Sequence, residues 1–253
     1  MVSARTFLLL PSLCAMITAV SAECRCGSSE FLTFPRVNLT SDQEHPCAAY
    51  KLLDARGTQE PQGVSLMFQT SISRALANRS SLAVSQSILY PAAPDQNVTA
   101  GVAYTLDLIK YGLRDCPAQK YFLFGYSQGA TVMLEALGKM DNASAAAVAS
   151  VVLVGNPYRM PGRRSNVDYE GAPDNRTAVG MFATQVLAAN GTVIPKVSDE
   201  WDWSGKVKDI CLQDDIVCAF DSKCQCQLSS DHLSYGLMEP VQDLIFEHVV
   251  SMM

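Results

Sequence analysis

Tyr121-Phe122-Leu123-Phe124-Gly125-Tyr126-Ser127-Gln128-Gly129 is the stretch that decides the architecture. The compact apolar run 121–124 reads as a buried strand that Gly125 breaks, and residues 130–140 read as a helix. A strand that gives way to a helix through Gly-x-Ser-x-Gly must turn sharply, and bulky side chains two positions to either side of the serine would crowd that turn. Gly125 and Gly129 remove them. Ser127 is then presented outward, where a nucleophile has to stand.

The same alternation continues in both directions. Apolar runs at 48–55, 85–90, 150–154 and 206–212 read as further strands. Helical spacing recurs at 63–77 through Leu66, Met67, Ile72 and Leu76, at 98–113, and at 240–250 through Val241, Leu244, Ile245 and His248. About five strands alternating with helices predict a three-layer α/β fold, a mostly parallel sheet with helices on both faces. Between 161 and 203 the periodicity fails, with Pro161, Gly162, Gly171, Pro173, Gly191 and Pro195 scattered through it. This reads as a long excursion within one domain spanning 47–253, and loops of that length are functional or mobile.

Of the 253 residues, 48% are hydrophobic and 17% charged, which excludes disorder for most of the length. The balance of 19 Lys plus Arg against 25 Asp plus Glu, with no basic run, argues against a nucleic-acid partner. Arg5, the 14-residue apolar run 7–20 and the small residues Val20-Ser21-Ala22 read as a secretory leader, residues 1–22, which is too short for a bilayer span. Residues 23–46 form a polar extension. With Cys14 removed, Cys24, Cys26, Cys47, Cys116, Cys211, Cys218, Cys224 and Cys226 remain, an even set that suggests disulfides in an extracellular protein. The single-residue spacing of Cys24/Cys26 and Cys224/Cys226 is too close for the usual zinc pattern, so no metal is expected. Acceptor sequons at Asn38, Asn78, Asn97, Asn142, Asn175 and Asn190 fit a secretory route.

A serine hydroxyl needs a positioned base, usually His oriented by a carboxylate. Three histidines exist. His45 lies in the extension and His248 on an apolar helical face, whereas His232 lies in a loop after the last strand, downstream of the serine. For the acid, Cys211 and Cys218 bracket Asp214 and Asp215, and a disulfide closing so short a ring would hold their carboxylates in place. Spacing does not choose between them, and Asp231 is a further candidate.

Arg56-Gly57-Thr58, the Gly125–Gly129 pentapeptide, the 211–218 segment with Asp at its fifth position and Val217 before the second Cys, and His232-Leu233-Ser234-Tyr235 together resemble the cutinase family. That family includes cutinases and acetylxylan esterases of the small α/β-hydrolase type. The resemblance runs from about Cys47 to the C-terminus. It implies Ser127 as nucleophile, Asp215 as acid and His232 as base. It further implies an oxyanion hole made by Thr58 and the backbone N–H of Gln128, and disulfides Cys47–Cys116 and Cys211–Cys218. The expectation is a secreted, cofactor-free, monomeric esterase that opens carboxylic esters through an acyl-enzyme. Its substrate would be cutin, another short-chain polyester or an acetylated polysaccharide, with Cys24 and Cys26 bridged to Cys224 and Cys226. The polar stretch before His232 counts against long acyl chains. The competing expectation is a secreted binding protein that keeps the scaffold without turnover.

Overall fold

The computed structural model describes residues 47–79, 81–189, 193–220 and 231–253. The leader, the 23–46 extension, the sequons at Asn38 and Asn190, and the four cysteines 24, 26, 224 and 226 lie outside these residues, as does the polar stretch before His232. The chain runs β1 (Tyr50–Ala55), α1 (Gln69–Asn78), β2 (Ala83–Ser87), α2 (Thr99–Asp115), β3 (Lys120–Tyr126), α3 (Gln128–Lys139), α4 (Asn142–Ala147), β4 (Val148–Val154), β5 (Asn166–Val167), α5 (Met181–Ala188), α6 (Asp199–Trp203), β6 (Val207–Ile210) and α7 (Glu239–Ser251). The sheet order is β2-β1-β3-β4-β6-β5, with every pairing parallel.

A central parallel strand is covered on both faces, so its residues are apolar in succession and alternate between two cores. Leu53, Ala55, Tyr121, Leu123, Val151 and Leu153 pack with Val102 and Ile109 of α2 and Val132 and Met133 of α3. Leu52, Phe122, Phe124, Val152 and Val154 pack with Ile72 of α1 and Val241, Ile245 and Val249 of α7. The chain goes from β1 outward to β2, then returns to place β3 on the other side of β1. That reversal creates a switch point at the carboxyl ends of β1 and β3, where open α/β sheets bind ligands. The Cys47–Cys116 disulfide ties the start of β1 to the end of α2, closing a loop of sequence separation 69.

Three differences from the sequence reading have physical causes. The sheet has six strands rather than about five, because β5 is only two residues long and carries no periodicity to read. Helix α1 starts at Gln69, not Gly63, because Gly63 holds φ 137°, outside the helical region, and the Leu66 N–H is committed to Glu60 Oε1. The 161–203 stretch carries β5, α5 and α6, and buried polar bonds hold it. Arg159, fully buried, pairs with Asp174 at 2.7 Å, and Asp202 accepts from both the N–H and the hydroxyl of Ser165. Short helices of eight and five residues leave too few turns for a pattern to register.

Candidate active site

β3 delivers Tyr126 into the core, and a single residue later α3 has begun. That residue, Ser127, is half-buried and holds φ 53° and ψ −118°, an angle pair that L-residues rarely adopt. Its N–H donates to the Val154 carbonyl at 2.9 Å, which fixes it beside the end of β4. The glycines are required by contact. A Cβ on Gly129 would lie 1.9 Å from the Ala55 carbonyl oxygen, and one on Gly125 would lie 2.6 Å from the Gly129 carbonyl oxygen.

His232 Nδ1 lies 2.9 Å from Asp215 Oδ2. Asp215 is fully buried, whereas Asp214 is exposed, so burial separates two carboxylates that spacing leaves equivalent. Among the described residues, the hydrogen bond to a His232 ring nitrogen comes from Asp215 and not from the adjacent Asp231. Asp215 Oδ1 accepts the Val217 N–H at 2.7 Å inside the ring that the Cys211–Cys218 disulfide closes. The His232 ring stacks on Tyr126, centroids 4.9 Å apart, and the Tyr126 hydroxyl donates to the His232 carbonyl at 2.8 Å. Gly155, at φ 59°, follows the Val154 carbonyl that receives the Ser127 N–H. A Cβ there would sit 2.6 Å from His232 Cε1 and 3.2 Å from Asp215 Oδ2. The imidazole, the carboxylate and the serine turn are therefore gathered around Tyr126 and Gly155.

Tyr235 completes this group. Its hydroxyl donates to Asp215 Oδ2 and accepts the Leu212 N–H at 3.1 Å. Burial, and then the negative charge of Asp215, push the phenol well above its ordinary value, so it remains a donor across the working pH range. With Val217 and Tyr235 satisfying its remaining acceptor positions, the carboxylate is fixed toward Nδ1. Tyr235→Phe removes one hydrogen bond to a buried charge, which is expected to cost about 1.5–3 kcal/mol of stability by urea denaturation and to lower kcat with KM nearly unchanged.

The facing wall comes from β1. Arg56 is buried and donates to the Glu60 carbonyl, the Gln62 side chain and the Tyr90 carbonyl. The Gly57 N–H donates to Glu60 Oε2 at 2.6 Å, and a Cβ on Gly57 would meet the Tyr126 ring at 2.6 Å, so the Thr58 segment lies against the serine turn. The Thr58 hydroxyl accepts from Gln96 Nε2 at 3.0 Å, which leaves its own proton to donate outward. Gln128 opens α3, where a backbone N–H has no intrahelical acceptor, and its side chain is anchored on the Ala93 carbonyl at 2.8 Å.

Asp54, fully buried at the end of β1, accepts from the Ser65 N–H at 2.8 Å and the Ser87 hydroxyl at 2.7 Å. Burial pushes its carboxyl up from 3.8 to about 7, against those hydrogen bonds. The folded protein thus keeps a proton that the unfolded chain has released. The associated stability is complete below the unfolded value and is lost as the pH rises through the folded one. Asp54→Asn is expected to escape this loss, gaining roughly 2–4 kcal/mol on the native protein between about pH 4 and pH 8, read from urea midpoints across that range.

Ser127, Asp215, His232, Thr58 and Gln128, all named from sequence, thus fall at one end of the sheet. Tyr235, Tyr126, Gly155, Gln96 and Glu60 are additional. Tyr235 closes the His232-Leu233-Ser234-Tyr235 run and Gly155 directly follows the Val-rich strand β4, so the sequence itself marks both. Among the described residues no cluster of His, Cys, Asp and Glu could hold a metal ion, and no helix is long and apolar enough to cross a membrane.

The cutinase family model matches residues 46–249. The chain belongs to the cutinase family. A cutinase of Trichoderma harzianum is 33% identical over 147 residues, covering 55% of this chain and 58% of that protein's length. The chain spans only 50–58% of the length of the curated cutinase relatives it matches. A cutinase-like protein from Cryptococcus sp. shares the fold at a TM-score of 0.69 with 33% identity, over 84% of this chain and 97% of that one. The catalytic core domain of an acetyl xylan esterase from Trichoderma reesei superposes at a TM-score of 0.60 with 21% identity, over 82% of this chain and all of that one, a likeness of fold. The two disulfides expected of a cutinase are formed, Cys47–Cys116 and Cys211–Cys218, and they suit an oxidising compartment.

Proposed function

We propose that this cutinase-family protein is a serine carboxylic-ester hydrolase working through an acyl-enzyme. The observation that carries the reading is the Asp215–His232 pair, 2.9 Å apart, stacked on the residue that precedes a serine held at positive φ. Ser127 Oγ attacks the ester carbonyl carbon while His232 Nε2 accepts its proton. Thr58 Oγ–H and the Gln128 N–H donate to the developing oxyanion, each contributing about 2.7–4 kcal/mol to the transition state. The tetrahedral centre collapses, the C–O bond to the alcohol breaks, and the imidazolium returns the proton to the leaving oxygen. Water repeats the sequence on the acyl-enzyme. Asp215 keeps Nδ1 protonated so that Nε2 faces the serine, and it stabilises the imidazolium. No cofactor enters this scheme.

The substrate class we assign is a short acyl ester, either of a polyester or of an acetylated polysaccharide. The names of the similar proteins support both. The leader-like N-terminus together with two disulfides supports an extracellular place of work. The test is a series of nitrophenyl esters from acetyl through butyryl to palmitoyl. A rate that falls steeply beyond butyryl supports the assignment, and a maximum at the long acyl end overturns it. Stoichiometric labelling of Ser127 by an organophosphonate is the companion result; absence of any label overturns the covalent mechanism.

A further inference from the structure

We propose that Asn97 is an N-glycan acceptor whose sugar stands on the rim of the oxyanion wall and restricts bulky esters. The sequons at Asn78, Asn97, Asn142 and Asn175 all present an exposed Asn, but they stand at different places. Asn175 lies beside Arg176, which donates to the Cys211 carbonyl just past β6, on the opposite flank of the sheet from the β1 wall. The other three are divided between the two ends of the sheet. Asn78 closes α1 just before β2 begins, and Asn142 opens the short α4 that leads into β4. Both therefore lie at the edge where strands start. Asn97 lies in the connection from the end of β2 to the start of α2, at the edge where Ser127 stands.

That connection is the wall of the site. The Ala92 carbonyl accepts the Gln59 N–H at 2.8 Å, the Ala93 carbonyl accepts Gln128 Nε2 at 2.8 Å, and Gln96 Nε2 donates to the Thr58 hydroxyl at 3.0 Å. It thus clamps both residues assigned to the oxyanion, and Asn97 follows the last clamp directly. Asn97 receives its order locally, its N–H donating to Asp95 Oδ1 at 3.0 Å and its Oδ1 accepting the Thr99 N–H at 3.1 Å. Those bonds do not engage Nδ2, the atom that carries a sugar. In the transfer, Nδ2 bonds to the anomeric carbon of a polyprenyl-pyrophosphate-linked oligosaccharide, the sugar's C–O bond to phosphate breaks, the amide gives up one proton and the polyprenyl pyrophosphate leaves. A glycan is bulky and hydrated. Placed one residue beyond Gln96, it leaves a path for a small soluble ester and obstructs a polymer surface.

The kinetic half of this inference rests on the esterase reading, and the modification does not. The experiment uses the full chain secreted from a eukaryotic host, with Asn97→Gln, Asn142→Gln and Thr99→Ala. The last removes the sequon but keeps the Asn97 side chain and the residue 99 N–H. Intact mass is read before and after endoglycosidase, and rates are read on a soluble acetyl ester and on a suspended aliphatic polyester. Asn97→Gln and Thr99→Ala are expected to lose one glycan's mass and to raise the polyester-to-soluble ratio several-fold, while Asn142→Gln leaves that ratio where it was. No mass loss at Asn97→Gln overturns the acceptor. Mass loss with an unchanged ratio overturns the rim role. A protein inactive on every ester overturns the esterase reading alone, because the mass result still stands.

Discussion

Ser127→Ala is expected to lower kcat on a soluble acetyl ester by at least about 10⁴-fold, with the urea midpoint close to the native one. The side chain makes no packing contribution that Ala lacks beyond its hydroxyl, and the turn is fixed by the Ser127 N–H to Val154 and by the bare glycines on either side, none of which the substitution touches. What disappears is the oxygen proposed to form the acyl bond. The His232 proton acceptor then has nothing to activate, so His232→Ala added to Ser127→Ala should cost almost nothing more. Retention of the native rate by Ser127→Ala would place the chemistry elsewhere.

Asp215→Asn is expected to lower kcat by about 10⁴-fold, an effect of comparable size from a different cause. Oδ2 receives two donors at once, His232 Nδ1–H and the Tyr235 hydroxyl, and Oδ1 receives the Val217 N–H. An amide offers one acceptor oxygen where the carboxylate offered two. Whichever way it turns, its NH₂ faces at least one donor. The relaxed arrangement moves the imidazole proton to Nε2, the atom proposed to accept from Ser127. Removal of a hydrogen-bonded buried charge should also lower the urea midpoint. Asp214→Asn, at the exposed neighbour, is the matched control, and equal loss from both substitutions would refute the assignment to Asp215.

The contrast between those two aspartates shows how far the sequence carries. The serine turn was legible because its requirement is local: a strand, a single residue in an unusual conformation and a helix must follow within nine positions, and the two glycines are the visible trace of contacts with Ala55 and Gly129. His232 was legible by elimination among three. The acid was legible only through the family resemblance, not from spacing, because Asp214 and Asp215 differ in which one points inward to Tyr235 and His232, a fact of tertiary packing. Gln96 was invisible for the same reason, since a polar residue in a loop gives no sign that its amide reaches Thr58, 38 positions away. The alternation of strands and helices gave the layers, yet β5 escaped because two residues carry no period. The late start of α1 likewise escapes the apolar spacing, as Gly63 at φ 137° cannot open a helix and Glu60 takes up the Leu66 N–H.

The backbone of Ser127, at φ 53° and ψ −118°, is a position that folding of the surroundings imposes, at about 1–3 kcal/mol for a residue with a Cβ. Ala inherits that penalty and Gly largely escapes it, even after its greater freedom in the unfolded chain is counted. Two equally dead proteins, Ser127→Ala and Ser127→Gly, should consequently melt at different temperatures, the glycine form higher. The interval between them would measure the thermal endurance this molecule forgoes to hold the proposed nucleophile in that conformation.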